Sequence, residues 1–227
     1  MRSVEQDRTK DKGASLRELR LGLVAVLLPV SLVLASAYGC DEKGQPLGEV
    51  GDRCTEALDC VEGLLCINGT CVPPRTGDWD DSVRYSGETW TDSTLTWQSW
   101  PPEGEMSWGD ANYYCANLGD GWRLPRLDEL RALVRGCHET ENGGACNLTE
   151  GDCLSLECTR RECAGCERHG GPNNSCYRPA EIKGACDEHW ATASVEDRPE
   201  LAWCVSFVNA EVKERHKTRK AQVRCVR

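Results

Sequence analysis

Residues 106–134 read MSWGDANYYCANLGDGWRLPRLDELRALV, and the spacing inside this stretch decides the fold class. Ser107 followed three residues later by Asp110 is a helix-start pattern, in which a hydroxyl caps free backbone N–H groups. Trp108, Ala111, Cys115 and Leu118 then recur at helical spacing on one face. Gly119-Asp120-Gly121 stops that helix, and Trp122-Arg123-Leu124 leads into a second one. Pro125 suits its first turn, Asp128 and Glu129 suit its positive end, and Leu127, Leu130 and Val134 face inward.

Strands flank the helix pair. Upstream, Thr94 to Trp100 is short and β-prone and ends at Pro101-Pro102. Downstream, His189 to Ser194 reads as a strand, and so does Leu201 to Val208, where Trp203, Val205 and Phe207 share a face by period two. Asn209-Ala210 turns the chain, Glu211 to Arg215 returns it, and Gln222 to Arg227 reads as a closing strand. Between the halves lies an insert, residues 135–188, with eight cysteines and few apolar residues, among them Leu148, Leu154, Leu156 and Ile182. So little apolar surface cannot supply a core, so cross-links are expected to hold the insert. The whole is an α+β chain with two helices and a small antiparallel sheet.

Sixteen cysteines in 227 residues imply an oxidising compartment, because reducing thiol pools leave such cysteines unpaired. Net charge is −10, and −12 once residues 1–39, with six Lys/Arg and four Asp/Glu, are set aside. That sign repels phosphate backbones and argues against nucleic acid as a partner. The local run Lys213, Arg215, His216, Lys217, Arg219 and Lys220 opposes it, and a solvated hairpin face is its simplest reading.

Residues 1–39 read as a signal or anchor segment, since Leu21 to Gly39 is uncharged over nineteen residues and follows a basic stretch ending in Arg17 and Arg20. Three fates follow. Gly39-Cys40 suits acylation of the Cys40 thiol, with Ala37 and Tyr38 departing from the preferred residues; Ala35-Ser36-Ala37 suits ordinary cleavage; and nineteen helical residues span about 28 Å, enough for an uncleaved anchor. Lipidation of Cys40 is the expectation adopted, and it leaves an odd number of cysteines and one spare thiol. Residues 40–53 read as a polar tether. Residues 54–74 form a cysteine module in which Cys54, Cys60, Cys66 and Cys71 allow three pairings and Asn68-Gly69 marks a turn. Zinc there needs reduced sulfur and close Cys pairs, which this spacing lacks.

The module resembles small cysteine-rich repeats of the dickkopf and colipase kind, a resemblance that implies Cys54–Cys66 and Cys60–Cys71. Residues 77–227, through the 106–118 helix, Trp122-Arg123-Leu124-Pro125, Trp190-Ala191-Thr192, Ala202-Trp203 and Val223-Arg224-Cys225-Val226-Arg227, resemble the C-terminal domain of Lcl-type bacterial surface proteins. That family is similar in fold to formylglycine-generating enzymes and C-type lectins. The resemblance implies a lectin-like domain in which Trp108, Trp122, Arg123, Leu124, Pro125, Trp190 and Trp203 are structural. It also implies that the terminal strand returns beneath the first helix, joining Cys115 to Cys225. Arg126 stands where the family has Thr, which removes a capping hydroxyl.

No catalytic constellation emerges. Cys163-Ala164-Gly165-Cys166, with His169, Cys158 and Cys176 near, has metal-ligand spacing, yet structural disulfides are the expected use outside the cytoplasm. Cys204 and Cys225 are positional candidates for an oxidase pair, and His138, His169, His189 and His216 are expected at the surface. Gly171-Pro172-Asn173-Asn174 only faintly echoes a calcium-lectin loop. The expectation is therefore a non-enzymatic envelope lipoprotein without metal or cofactor, binding an extracellular glycan or protein. A diverged oxidase or a structural spacer are the alternatives.

Overall fold

The computed structural model describes residues 47–55, 59–74 and 87–227; Cys40 and the signal or anchor segment lie outside them. In chain order the elements are β1 (Leu65–Ile67), β2 (Thr70–Val72), β3 (Thr89–Thr91), β4 (Thr96–Gln98), α1 (Trp108–Asn117), α2 (Leu127–Arg131), β5 (Glu188–Val195), β6 (Arg198–Ser206) and β7 (Glu211–His216). Two short 3-10 turns, Leu156–Cys158 and Arg161–Ala164, mark the insert. The class is mixed α and β with small antiparallel sheets.

Strands β5, β6 and β7 form one antiparallel sheet in that order. Alternation along β6 sends Trp203 and Val205 to one face and Ala202 and Cys204 to the other, and both faces are buried. On the first side they meet α2, Leu148 and Ile182; on the second they meet Trp108, Ala111 and Cys115 of α1. Trp97, Trp190 and Trp203 are wholly buried. Burying each contributes a gross figure of about 4–6 kcal/mol at the usual area coefficient. Their indole groups are satisfied: Trp190 Nε1 donates to Met106 O (2.9 Å), Trp203 Nε1 to Leu154 O (3.1 Å) and Trp97 Nε1 to Asp92 (3.1 Å).

The closing segment does bring the two ends of the domain together, but not as a continuous strand. Isolated bridges join Val226 to Trp97 on one side and to Arg123 on the other, and Gln222 to His189. Cys115 is bonded to Cys225 beneath α1, with a sequence separation of 110. Beside it Gln98 accepts from Cys225 N (3.0 Å) and donates to the Tyr114 hydroxyl (3.3 Å), so one buried amide ties helix, hairpin and closing segment together.

Helix α1 begins as expected: Ser107 is its N-cap and accepts from Asp110 N (3.3 Å). Helix α2 starts later than the proline suggested. Pro125 lies outside it, its carbonyl accepting from Thr192 N (2.8 Å), and Arg126 is the N-cap. No capping hydroxyl is present, and two carboxylates do the work: Glu129 accepts from Arg126 N (2.7 Å) and Glu150, from the insert, accepts from Leu127 N (2.9 Å).

The insert holds its shape by more than cross-links, contrary to the composition argument. Four disulfides do lie within it, Cys137–Cys166, Cys146–Cys163, Cys153–Cys158 and Cys176–Cys186. The buried Arg131 guanidinium also donates to the carbonyls of Thr140 (3.0 Å), Glu141 (3.1 Å), Cys146 (2.8 Å) and Leu148, so the loop is wrapped around one side chain of α2. Gly165 allows a close approach to the turn between β6 and β7: at φ 77°, a Cβ there would lie 2.1 Å from Asn209 O.

Within the module, Cys54 bonds Cys66 and Cys60 bonds Cys71, and β1 pairs with β2 across Asn68-Gly69. The second half of the supposed tether belongs to the module. Gly48 N donates to Asp59 O (2.6 Å), Gly51 N to Cys71 O (2.8 Å) and Cys71 N to Asp52 O (2.8 Å).

Candidate ligand groove

The cysteine module docks on the larger domain, and the seam between them holds a concavity. Asn68, held at φ 48° in its turn, donates through Nδ2 to Ala116 O (3.2 Å), a carbonyl near the end of α1 that also accepts from Gly119 N (3.1 Å). Thr192 Oγ1 donates to Val50 O (3.2 Å), and Gly51, at φ 92°, lets the chain pass close to Thr192 and Arg123. Val50 packs against the second core. Two disulfides behind the seam and a third beneath α1 fix both walls.

The groove so formed has a volume of about 470 Å³ and is lined by Arg53, Thr55, Asp59, Asn68 and Asp120 among others. Asp59 braces its floor, accepting from Thr55 N (2.6 Å) and Thr55 Oγ1 (2.7 Å). At the rim Asp120 meets Arg227 (3.8 Å), whose guanidinium lies over the Trp122 ring at 4.9 Å. Trp122 is only 5% exposed, so it backs the rim and offers no open stacking face. The lining is thus a fixed mix of carboxylate, guanidinium, hydroxyl and amide, a set that satisfies hydroxyl-rich or peptide surfaces.

The motif residues frame this seam. Arg123 grips Glu129 with two bonds of 2.7 Å, and its guanidinium also donates to Leu124 O (3.1 Å). Burial works against the Glu129 charge, but the Arg123 contact prevails and holds the carboxyl below its ordinary value. Trp108 Nε1 donates to Ala191 O (2.9 Å), while Lys217 Nζ sits 4.0 Å from the Trp108 ring and donates to Ser194 Oγ (2.7 Å). Lys213 and Arg215 both turn to Glu188. Three members of the basic run are therefore engaged within the fold.

The reactive-group candidates fare differently. Cys163 and Cys166 are bonded to different partners, Cys146 and Cys137, so the metal-like spacing does not converge on one centre. Glu139 lies 3.1 Å from Cys166 Sγ and 3.5 Å from Cys137 Sγ, but both sulfurs are in the disulfide. Cys204 is fully buried, and burial, with Glu188 adding to it, pushes its thiol well above the ordinary range. Cys225 is taken by Cys115, so the two positional candidates form no pair.

Against expectation, His189 is buried. Burial, reinforced by the charges of Arg224 and Arg178, drives it down to about 3, so it is neutral across the physiological range. It packs edge-on against Phe207 at 5.1 Å, filling core where a surface imidazole was expected.

Sequence reasoning found the Asn68-Gly69 turn but did not single out Arg53 as a groove residue, nor Arg131. Arg131 had a signal: it falls four residues after Leu127, on the inward face of its helix. Arg53 had none, because its role depends on how two modules dock. No curated protein matches the chain. The family model described as the Lcl C-terminal domain matches residues 88–227, more than half of the chain, which therefore belongs to the Lcl C-terminal domain family.

Proposed function

We propose that this is an exported envelope lipoprotein, anchored through Cys40, whose lectin-like domain and cysteine module together present a non-catalytic groove for an extracellular glycan or protein segment. The observation that carries the binding role is the seam groove, whose polar lining is rigidified by disulfides and is preorganised for contact. The lectin-like reading draws support from the helix pair over a small antiparallel sheet and from the bridge between Trp97 and Val226. Interleaved pairing in the module supports the dickkopf-like reading.

Cysteine parity supports the lipid anchor and an oxidising compartment. Fourteen of the sixteen cysteines are bonded to one another, and Cys204 is sealed in the core, which leaves Cys40 without an accessible partner thiol. Catalysis of the oxidase type would need a reachable cysteine pair, and neither Cys204 nor Cys225 offers a free accessible thiol.

The test uses the oxidised full-length chain purified from membranes. Intact mass gives an acylated mature form beginning at Cys40, whereas an unacylated form beginning at Tyr38 overturns the anchor. Capture on cell-surface glycans and proteins is retained by the native chain and falls about tenfold in Arg53→Ala, the loss typical of one charged contact. Undiminished capture overturns the groove, and copper-dependent oxygen uptake with a thiol peptide overturns the non-catalytic reading.

A further inference from the structure

A second cavity lies across one end of the β5–β6–β7 sheet, away from the seam. Its volume is about 210 Å³, and its lining includes Glu105, Arg168, Asp187, Ser206 and the Glu188–Lys213–Arg215 cluster. Within that cluster Glu188 takes both Lys213 and Arg215, and Lys213 also meets Glu211 (3.4 Å), so these charges are mutually spent. Glu105, Arg168 and Asp187 are different: among the described residues no hydrogen bond or ion pair engages their side chains. Two uncommitted carboxylates and one uncommitted guanidinium face the same small space without closing on each other.

Backbone bonds and cross-links anchor the segments that carry them. Arg168 follows Cys166, which bonds Cys137, and its loop is pinned to the sheet by His169 N donating to Val208 O (2.8 Å) and Cys166 N to Asn209 O (2.7 Å). Asp187 follows Cys186, which bonds Cys176, and its carbonyl contacts His189 Nδ1 (2.8 Å). Glu105 precedes Met106, whose N–H donates to Ala221 O (2.9 Å). The floor is drier: Ser206 and Val208 are 4% and 6% exposed, and the Arg215 Nε is buried without a partner.

We propose that this cavity binds a small zwitterion, a free α-amino acid, with its carboxylate at Arg168 and its ammonium at Asp187 and Glu105. Size and sign favour this class. The volume falls below the roughly 300 Å³ where drug-sized pockets begin. A phosphate or other anion meets two uncommitted carboxylates, and a divalent cation meets the uncommitted Arg168 guanidinium, whereas a zwitterion satisfies both signs at once.

Calorimetric titration of the oxidised full-length chain tests it, with glycine and alanine as probes and acetate and ethylammonium as the two half-ligands. Saturable binding of an amino acid is expected with a dissociation constant on the order of 1 mM, and each half-ligand binds at least about tenfold more weakly. Arg168→Gln and Asp187→Asn, both at exposed positions, each weaken glycine binding about tenfold with an unchanged melting temperature, and Arg53→Ala in the seam groove leaves it unchanged. Absence of saturable binding at tens of millimolar, half-ligands as good as glycine, or full affinity in both charge variants each overturns the proposal.

Discussion

The three-stranded sheet and the 135–188 insert share one domain but are stabilised by opposite means. The sheet buries apolar side chains on both faces of its central strand, where β6 alone buries Ala202, Trp203, Cys204 and Val205. The insert contributes few apolar side chains and is held by four disulfides and the carbonyl contacts of Arg131. The difference teaches that a loop without a core can be as well defined as a sheet when its backbone polar groups are given a partner and its unfolded state is restricted.

The harshest way to break the comparison is to open the bond that serves both regions. Cys225→Ser removes a cross-link closing a loop of about 110 residues, worth roughly 4–5 kcal/mol in chain entropy, so sheet and insert should both unfold at much lower denaturant. Urea unfolding measures this, and Cys115 becomes alkylatable while Cys54, Cys60, Cys66 and Cys71 stay protected. A midpoint close to that of the native chain would mean that burial alone carries the domain.

Arg131→Met should act unequally. It strands several carbonyls of the insert and costs about 3 kcal/mol, with hydrogen exchange rising across 139–148 before it rises in β5 and β6. Uniform exchange across both regions would mean that insert and sheet open as one unit.

The smallest effect concerns acid. Because the Glu129 carboxyl is held below its ordinary value, its contribution to stability is complete above that value, near 4.3, and is lost as pH falls through the depressed folded one. Urea midpoints between pH 5 and 2 should therefore fall less steeply in Glu129→Gln than in the native chain. Equal slopes would remove the Arg123–Glu129 pair from the account.

Much of this was readable because periodicity and caps are local. Ser107 and Asp110 announced α1, the alternation of Trp203, Val205 and Phe207 announced β6, and the family resemblance brought Cys115 to Cys225. Three things were not local. The late start of α2 depends on Glu150, which is 23 residues from the Leu127 N–H it caps. His189 looked like a surface residue because nothing adjacent to it predicts that Arg224 and Phe207 close over it. The supposed tether proved to be partly module because Gly48 and Gly51 are recruited by backbone bonds, which leave no mark on side-chain composition.

The Cys115–Cys225 bond also constrains biogenesis. All four insert bonds are nested inside it, so during translocation with the N-terminus leading, Cys115 emerges ahead of eight other cysteines that pair among themselves, Cys137 first. An oxidant that joins thiols in order of arrival would couple Cys115 to Cys137 and strand Cys225. Reaching the native pair from that state takes thiol–disulfide exchange, in which the Cys225 thiolate attacks Cys115 and releases Cys137 as a thiol.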